Sequence, residues 1–501
     1  TLSSSSAASD VYKRQILTLS VVLFSTIWTF GLMSLFRLPI YSVSTMIPVM
    51  LIAIGVADGI HLINHLQLMI LKHPDWSNLY LIKEMFTGMW IPVVMTSVTT
   101  AIGFISLLTS QVFPIKYFGL FTAIGVMFAM LFSLFFIPAG FILFGLPKVV
   151  RRKSSFINPG FVGDKIIKAK KIIIFATAII IMISLFGLTR VWINSSFLDK
   201  FEKGSEIVQT DAFINKHFGG TTTINVIFES EENGVFKEPE ILTTLYSLEK
   251  EIKGLDLVGN SMSLTDYLCR MHKVMNSDDD RFYAIPDSRN LIAQYLLLYE
   301  ISGDPDNLWK LVNYDYNRLN LTVQLKSDDT QALNQVINLI DTKRESFKNS
   351  GITINYAGSG YKSLVFTDLI LEGQVKSIIL SILIIIILLS FMFKNIKVGF
   401  AGSIPIIITT IVGFGIMGLF NIPLSSTTAL VSSIAVGIGI DYAVHFIERY
   451  KIYSRETGDK EKTVKLTMEH SGTAILFNAF VVIAGFMVLI FSVFPPNRAL
   501  G

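Results

Sequence analysis

Two aspartates lie inside apolar segments that are long enough to be membrane helices. Asp58 stands in Ile-Gly-Val-Ala-Asp-Gly-Ile-His, and Asp441 stands in Gly-Ile-Gly-Ile-Asp-Tyr-Ala-Val-His. An aspartate at the centre of a membrane helix costs roughly 2.5–3.5 kcal/mol on insertion scales, so two of them indicate a function. Burial disfavours the ionised carboxylate, and a second carboxylate nearby adds to this penalty. Such a pair can take up a proton from one side of a membrane and release it to the other.

Three further polar residues accompany the aspartates. His61 and His445 follow the two aspartates by three and four residues, about one helical turn inward on the same side. Tyr442 could donate a hydrogen bond to a carboxylate. We interpret Asp58, Asp441, Tyr442, His61 and His445 as a candidate proton relay. Packing remains the competing interpretation for the tyrosine and, more strongly, for the histidines, and an aspartate can also simply tie two helices together.

Hydroxyl groups and glycines complete the set of candidate residues. The segment Thr96-Ser97-Val-Thr99-Thr100 could supply hydrogen bonds to a carboxylate on a facing helix, although contacts between helices are the more common use of such residues. The glycines most typical of close helix packing are Gly55, Gly437 and Gly439.

The composition indicates that a lipid bilayer surrounds much of the chain. Of 501 residues 51% are hydrophobic and 16% are charged, whereas soluble proteins have about 25% charged residues. The net charge is +4 and the basic residues lie between apolar runs, so nucleic acid is not an expected partner. The one cysteine, Cys269, belongs to no Cys/His cluster, and neither a nucleophile elbow nor a phosphate-binding loop occurs. We therefore expect no metal ion, no cofactor and no enzymatic activity.

Nine apolar segments are long enough to cross a membrane. Lysines and arginines fall on alternate loops, which places the start of the chain inside and the long hydrophilic stretch outside. The first half of the predicted organisation is a disordered or non-native start at 1–15, a first transmembrane repeat of four helices at 16–147 and a basic cytoplasmic linker at 148–169. A transmembrane helix at 170–190 and a periplasmic α/β domain at 191–373 follow. The chain ends with a second transmembrane repeat at 374–495, which has four helices and lacks its last helix.

The hydrophilic stretch predicts a ferredoxin-like α/β domain. The segments 221–228 and 319–325 alternate like strands, 238–252 and 330–347 are amphipathic helices, and 353–356 is a closing strand. Two β-α-β units in this order are typical of a split, ferredoxin-like arrangement.

The apolar part contains an internal repeat. Residues 26–61 align with 410–445 without a gap, and the identities include glycines, prolines and the histidine pair His61 and His445. Both copies start on the inside, so the two halves are parallel repeats related by an axis along the membrane normal. The repeat places Asp58 and Asp441 one position apart and predicts that they are neighbours. It also predicts a parent protein of twelve spans with two outer domains.

The motifs around Asp58 and Asp441, together with Thr96-Ser-Val-Thr-Thr-Ala-Ile-Gly-Phe104, resemble the MMPL-like branch of the resistance-nodulation-division (RND) superfamily. The resemblance implies a helical polytopic membrane protein of the inner membrane, which exports lipids or other amphiphiles in exchange for protons. It assigns Asp58 and the Asp441-Tyr442 pair to the proton relay. The first half has Gly59 after Asp58 where some relatives have tyrosine, and Asn478 replaces a hydroxyl residue in the second half, so the two halves are not expected to be equivalent.

Two alternative functions stay open at this point. One is a sterol-sensing, receptor-like protein that binds a lipid to regulate a partner, and the other is a protein-export auxiliary of the SecDF type. The expected partners are a lipid or amphiphile substrate, protons and the membrane. Whether the protein forms a homo-oligomer or needs a periplasmic accessory protein is left open by the sequence.

Overall fold

The computed structural model describes residues 2–146, 159–194, 196–302 and 305–500, and it divides the chain into two compact units. Unit 1 comprises Thr1–Trp192 and Leu369–Gly501, and unit 2 comprises Ile193–Asp368. Unit 2 is therefore an insertion between two apolar helices of unit 1, and each unit has a core of its own.

Unit 1 is a bundle of α-helices. Numbered along the chain, its helices are α1 (Leu2–Leu35), α2 (Ile47–Lys72), α3 (Asn78–Ile105), α4 (Phe113–Phe144), α5 (Pro159–Lys168), α6 (Lys170–Leu188), α14 (Gly358–Met392, which begins in unit 2), α15 (Ile396–Leu419), α16 (Leu430–Thr457), α17 (Lys460–Thr467), α18 (Thr473–Met487) and α19 (Pro495–Arg498).

Eight helices of the described residues are long and apolar enough to cross a membrane, which makes the chain a multi-pass membrane protein. They are α1 to α4, α6 and α14 to α16. The last segment that the sequence predicts to span, 471–494, coincides with a shorter apolar helix at Ile475–Phe491. A π turn at Met468–Gly472 precedes α18 and a 3₁₀ turn at Val488–Phe491 follows it, so the regular α-helix is only 15 residues long.

The structure differs from the sequence-based expectation at the start of the chain. Helix α1 begins at Leu2, whereas 1–15 is expected to be disordered or non-native. This stretch contains neither glycine nor proline, and alanine and serine do not interrupt a helix, so the helical register simply continues backwards from the apolar segment. Residues 148–158 of the expected basic linker lie outside the described residues. Its remainder forms α5, which an ion pair of 2.9 Å between Asp164 and Lys465 joins to α17.

Glycines allow the helices of unit 1 to approach closely. A Cβ atom on Gly187 of α6 would lie 2.2 Å from the carbonyl oxygen of Gly415 on α15, so the two backbones are in direct contact. Between the two halves, a Cβ atom on Gly103 of α3 would lie 3.2 Å from Cα of Gly437 on α16. Small residues of this kind let membrane helices pack backbone against backbone.

Unit 2 is a four-stranded antiparallel sheet covered by helices. The strands are β1 (Thr222–Ser230), β2 (Val258–Met262), β3 (Arg318–Leu325) and β4 (Ile352–Ala357), and the helices are α7 (Glu206–His217), α8 (Pro239–Lys253), α9 (Leu264–Met275), α10 (Arg289–Ser302), α11 (Pro305–Trp309), α12 (Thr330–Thr342) and α13 (Arg344–Asn349).

The strand order of unit 2 confirms the ferredoxin-like prediction. The order across the sheet is β2-β3-β1-β4, with β1 antiparallel to both β3 and β4. Helix α8 connects β1 to β2, while α12 connects β3 to β4, as the β-α-β-β-α-β arrangement requires. Alternate residues of β1, namely Ile224, Val226 and Phe228, are fully buried and form the core with one face of α8 and α12. Strand β2, which the sequence does not predict, occupies the edge of the sheet.

Candidate functional site

Asp58 of α2 and Asp441 of α16 line one small buried cavity. The cavity has a volume of about 20 Å³ and lies where helices from both halves meet. The residues that line it are Ala53, Ile54, Ala57, Asp58, Thr96, Ser97, Thr100, Ile438, Asp441, Asn478 and Val482. A volume of roughly 10–15 Å³ suffices for one water molecule, provided that polar groups surround it. The cavity that the two carboxylates line is therefore large enough for one water molecule.

Among the residues that the structure describes, Asp58 has one hydrogen-bond partner, a hydroxyl group. Its side chain is 7% exposed, and Ser97 Oγ on α3 donates a hydrogen bond of 3.2 Å to Asp58 Oδ2. The hydroxyls of Thr96 and Thr99 instead donate to carbonyl oxygens of α3 itself, as such side chains commonly do in helices. Thr100 Oγ1 donates to the carbonyl oxygen of Gly437 at 2.7 Å and thus joins the two halves.

Asp441 has two partners of different chemistry. His445, one turn along α16, places Nε2 at 3.2 Å from Asp441 Oδ1. Asn478 of α18 donates from Nδ2 to Asp441 Oδ2 at 3.3 Å. The sequence marks Asn478 only as a departure from the repeat, and its position beside Asp441 becomes evident only once α18 is packed against α2 and α16.

His61 and His445 meet at the boundary between the halves. Their imidazole rings are stacked, with centroids 4.2 Å apart and planes 25° apart. One donor atom from each of His61, Asp441 and His445 lies within 4.8 Å of the others, and all three residues belong to the candidate proton relay that the sequence indicates. The lone pair of an imidazole nitrogen lies in the ring plane, and stacked rings do not aim their lone pairs at one point. The arrangement therefore suits the exchange of a proton between groups better than the binding of one metal ion.

His61 has an unsatisfied nitrogen in this cluster. Its side chain is 7% exposed, and Nε2 finds no hydrogen-bond partner within the described part of the chain. A buried nitrogen without a partner is costly in a static structure. Such a nitrogen can accept a hydrogen bond or a proton when Nδ1 carries the ring hydrogen.

The structure places Tyr442 away from the two carboxylates. Its side chain lines a second, apolar cavity of about 1020 Å³ between α15, α16 and α18. The side chains of Asp441 and Tyr442 diverge by about 100° around the helix, because they are consecutive residues. No hydrogen bond from Tyr442 to either aspartate is found among the described residues, so this tyrosine is not part of the cluster.

Two of the three glycines pack as expected and the third does not. A Cβ atom on Gly55 would lie 3.3 Å from Ala129 of α4, and Gly437 lies against Gly103. Gly439, which the repeat aligns with Gly55, lines the larger cavity instead, with no described heavy atom within 4 Å of its Cβ position. The reason is that the second half, as far as it is described, has no counterpart of α4.

Comparisons with known proteins support a transport protein. The model of the MMPL family matches residues 260–501, and the Patched SSD model matches residues 4–143. A membrane protein of Methanocaldococcus jannaschii is 22% identical over 337 residues, which are 64% of this chain and 83% of that protein. The trehalose monomycolate exporter of Mycolicibacterium smegmatis is 24% identical over 34% of this chain, and the apo-petrobactin exporter of Bacillus anthracis is 23% identical over 32%.

The matched regions are only a small part of the two exporters, 17% of the first and 23% of the second. A solved structure, the hedgehog release protein Disp from the water bear Hypsibius dujardini, has the same fold. Its TM-score is 0.63 at 11% identity, and the match covers 99% of this chain and 68% of that one. The fold, the duplicated aspartate motif and the two family matches together support an MMPL-like membrane protein with an RND-type fold.

Proposed function

We propose that the chain forms the proton-translocating part of an exporter of lipids or other amphiphiles. The observation that carries this proposal is the shared cavity of Asp58 and Asp441. Each carboxylate is contributed by a different half of the bundle, and each has a polar partner of its own. A proton that binds to one of them removes a charge from the boundary between the halves, which changes how strongly the halves attract each other.

The energy available from protons is adequate for this task. One proton that moves through 100 mV releases about 2.3 kcal/mol, which shifts a two-state equilibrium by more than tenfold. The histidine pair and the aspartate pair are adjacent along α2 and α16, so they offer a sequence of sites that a proton can occupy. No nucleotide-binding loop is present in the sequence as another source of energy.

The expected substrate and location follow from the same family. Two of the relatives named above are a trehalose monomycolate exporter and an apo-petrobactin exporter, and by similarity we propose a lipid or another amphiphile as the substrate of this chain. We propose the inner membrane as the location, with unit 2 on the periplasmic side, because the basic residues alternate between loops in the way that the positive-inside rule predicts.

Substitution of Asp441 by asparagine tests the proposal. The amide keeps the shape of the side chain and can accept one of its two hydrogen bonds, but it cannot carry a proton. We expect Asp441→Asn to abolish export by the full-length parent protein in proteoliposomes with an imposed pH gradient, while the folded yield in detergent stays unchanged. Asp164→Asn, which alters a half-exposed carboxylate on α5, is the matched control and should transport normally. Undiminished export by Asp441→Asn would contradict the proposal.

The match of residues 4–143 to the Patched SSD model favours a second candidate, a receptor-like protein that binds a lipid and regulates a partner. The same variant separates the two candidates. A receptor would bind its lipid with unchanged affinity after Asp441→Asn, and it would not move lipid when a pH gradient is imposed on the wild type.

A further inference from the structure

We propose that protons reach the Asp58–Asp441 cavity along a seam of buried polar side chains formed by α3, α14 and α16. The polar seam consists of Thr100, Ser106, Gln374, Ser377 and Ser432. We call the end of the bundle where α6 ends, α16 begins and unit 2 is inserted into the chain the insert end. The polar seam lies between the cavity and this insert end. This inference rests on the proposed function and adds a route to it.

The inner end of the seam touches the cavity. Thr100 lines the cavity and is 3% exposed, and its hydroxyl donates to the carbonyl oxygen of Gly437 at 2.7 Å. Thr100 follows Ser97, the partner of Asp58, by one turn of α3 towards the insert end. The hydroxyl groups of Ser97 and Thr100 therefore follow one another from the Asp58 carboxylate towards the insert end.

The middle of the seam is built by side chains that pair across helices. Ser106 Oγ at the end of α3 lies 2.8 Å from Ser377 Oγ on α14, and Gln374 Nε2, one turn from Ser377, donates to Ser432 Oγ on α16. All four side chains are at most 5% exposed. Ser106 lies about 13 Å beyond Ser97 along the helix axis, at a rise of about 1.5 Å per residue, so these pairs bridge most of the remaining distance to the surface.

The outer end of the seam opens onto charged, exposed residues. Gln111, just past α3, donates to Glu372 on α14 at 3.5 Å, and both side chains are exposed. Glu372 also forms an ion pair with Lys376 at 2.5 Å. Gly373, next to Glu372, lets α14 approach the loop after α3, because a Cβ atom there would lie 2.9 Å from Cα of Ser110. The seam thus lies between a solvated carboxylate and a buried one.

The pairing pattern distinguishes the seam from ordinary serine and threonine contacts. Hydroxyls inside a helix commonly donate to a carbonyl one turn earlier in the same helix, as Ser381 does to Ile378 at 2.9 Å. Ser106 and Ser432 also donate in this way, to the carbonyl oxygens of Gly103 and Ala429, but each of them in addition meets a side chain of another helix, Ser377 or Gln374. Hydroxyl pairs of this kind both donate and accept hydrogen bonds, so they can hold water and pass protons. Gln374 acts as a positioning residue that fixes Ser432.

Cysteine accessibility tests the route with a matched pair of positions on α14. Ser377 is fully buried and Ser381 is 2% exposed, but only Ser377 belongs to the seam. In a Cys269→Ser background we expect a small hydrophilic methanethiosulfonate reagent, applied to the full chain in membranes from the insert end, to modify Ser377→Cys about tenfold faster than Ser381→Cys. Equal rates at the two positions, whether fast or slow, would overturn the route.

A transport measurement separates this inference from the proposed function. Gln374→Leu should slow proton-driven export about tenfold while leaving the folded yield unchanged, whereas Gln374→Glu, which keeps a hydrogen-bonding side chain, should restore part of the rate. If Asp441→Asn abolishes export but Gln374→Leu and Ser377→Ala both leave it unchanged, the route is wrong and the proposed function stands. If Asp441→Asn exports normally, the proposed function fails, whatever the behaviour of the seam variants.

Discussion

The imidazole ring of His61 is stacked on that of His445 with their centroids 4.2 Å apart, and the internal repeat aligns these same two residues with each other. The contact joins equivalent positions of the two halves, so it marks the pseudo-twofold axis of the bundle. Any movement of one half against the other changes this contact directly.

Substitution of His61 by phenylalanine separates stacking from proton exchange. Phenylalanine keeps a flat ring against His445 but has no nitrogen to accept a proton. We expect His61→Phe to fold normally and to slow proton-driven export about a hundredfold, a typical effect for the loss of an acid–base group. His73→Phe is the control, because His73 is also stacked, on Trp76 at 3.9 Å, but lies between α2 and α3. Wild-type transport by His61→Phe would show that the histidine only packs.

A single methyl group tests the backbone contact between α6 and α15. Gly187→Ala would place its Cβ 2.2 Å from the carbonyl oxygen of Gly415, and backbone atoms cannot move aside cheaply. We expect a fall in the apparent melting temperature in detergent that corresponds to about 1–3 kcal/mol, the usual cost of overpacking. Gly413→Ala adds the same methyl group on α15, at a position where no described atom of a neighbouring residue lies within 4 Å. This variant should not lower the apparent melting temperature. Equal melting temperatures for both variants would refute the close contact.

The buried Glu249 of unit 2 holds the start of α9 in place. The side chain is 1% exposed, and its carboxylate accepts hydrogen bonds from Ser261, Ser263 and Thr265 at 3.0, 2.8 and 2.6 Å. Glu249→Ala leaves these buried groups without their acceptor, so we expect unit 2 to lose about 3 kcal/mol of stability.

Faster labelling of the buried Cys269 by a maleimide would report this loss. Glu251→Ala, which removes a half-exposed ion pair with Lys343, should change the labelling rate little. Identical labelling of Cys269 in the two variants would contradict the structural role of Glu249.

Asp266 makes the stability of unit 2 depend on pH. Burial, followed by the neighbouring Glu249 carboxylate, raises the pKa of Asp266 to about 6. Burial also opposes ionisation of Glu249, but hydrogen bonds from Asp266 and Thr265 and the charge of Lys253 lower the pKa of Glu249 below its usual value. Glu249 therefore contributes stability that is present above its unfolded pKa and is lost only in acid.

The stability contributed by Asp266 runs in the opposite direction, because its folded pKa is raised. It is fully present below the unfolded pKa and is lost as the pH rises through about 6. We expect the labelling of Cys269 to accelerate between pH 5 and 7 in the wild type and to accelerate less in Asp266→Asn. The same pH profile in both proteins would rule out Asp266 as the source.

The sequence predicts the central features of the site because they are repeated. Aligned motifs place Asp58 and Asp441 at nearly equivalent positions, and a parallel repeat brings equivalent helices together at its axis. The sequence does not show which way each side chain points. Tyr442 follows Asp441 directly, yet a rotation of about 100° takes it into another cavity. The contact of Asn478 with Asp441 depends on the packing of a third helix, which no local pattern specifies.

The same distinction applies to the fold of unit 2. Strands β1 and β3 are predicted because alternate residues are apolar and buried in the centre of the sheet. Strand β2 has the sequence Val-Gly-Asn-Ser-Met, with a single β-branched residue, and its ladder with β3 is irregular between Val258 and Asn260. Only its pairing with β3 makes it a strand, so local composition could not reveal it.

The two aspartates of the duplicated bundle have unequal surroundings. One carboxylate has a serine hydroxyl as its neighbour, and the other has an imidazole and a carboxamide. Two identical copies would offer a proton the same surroundings, whereas these two carboxylates have different hydrogen-bond partners. We therefore expect the two aspartates to bind and release a proton in a fixed order.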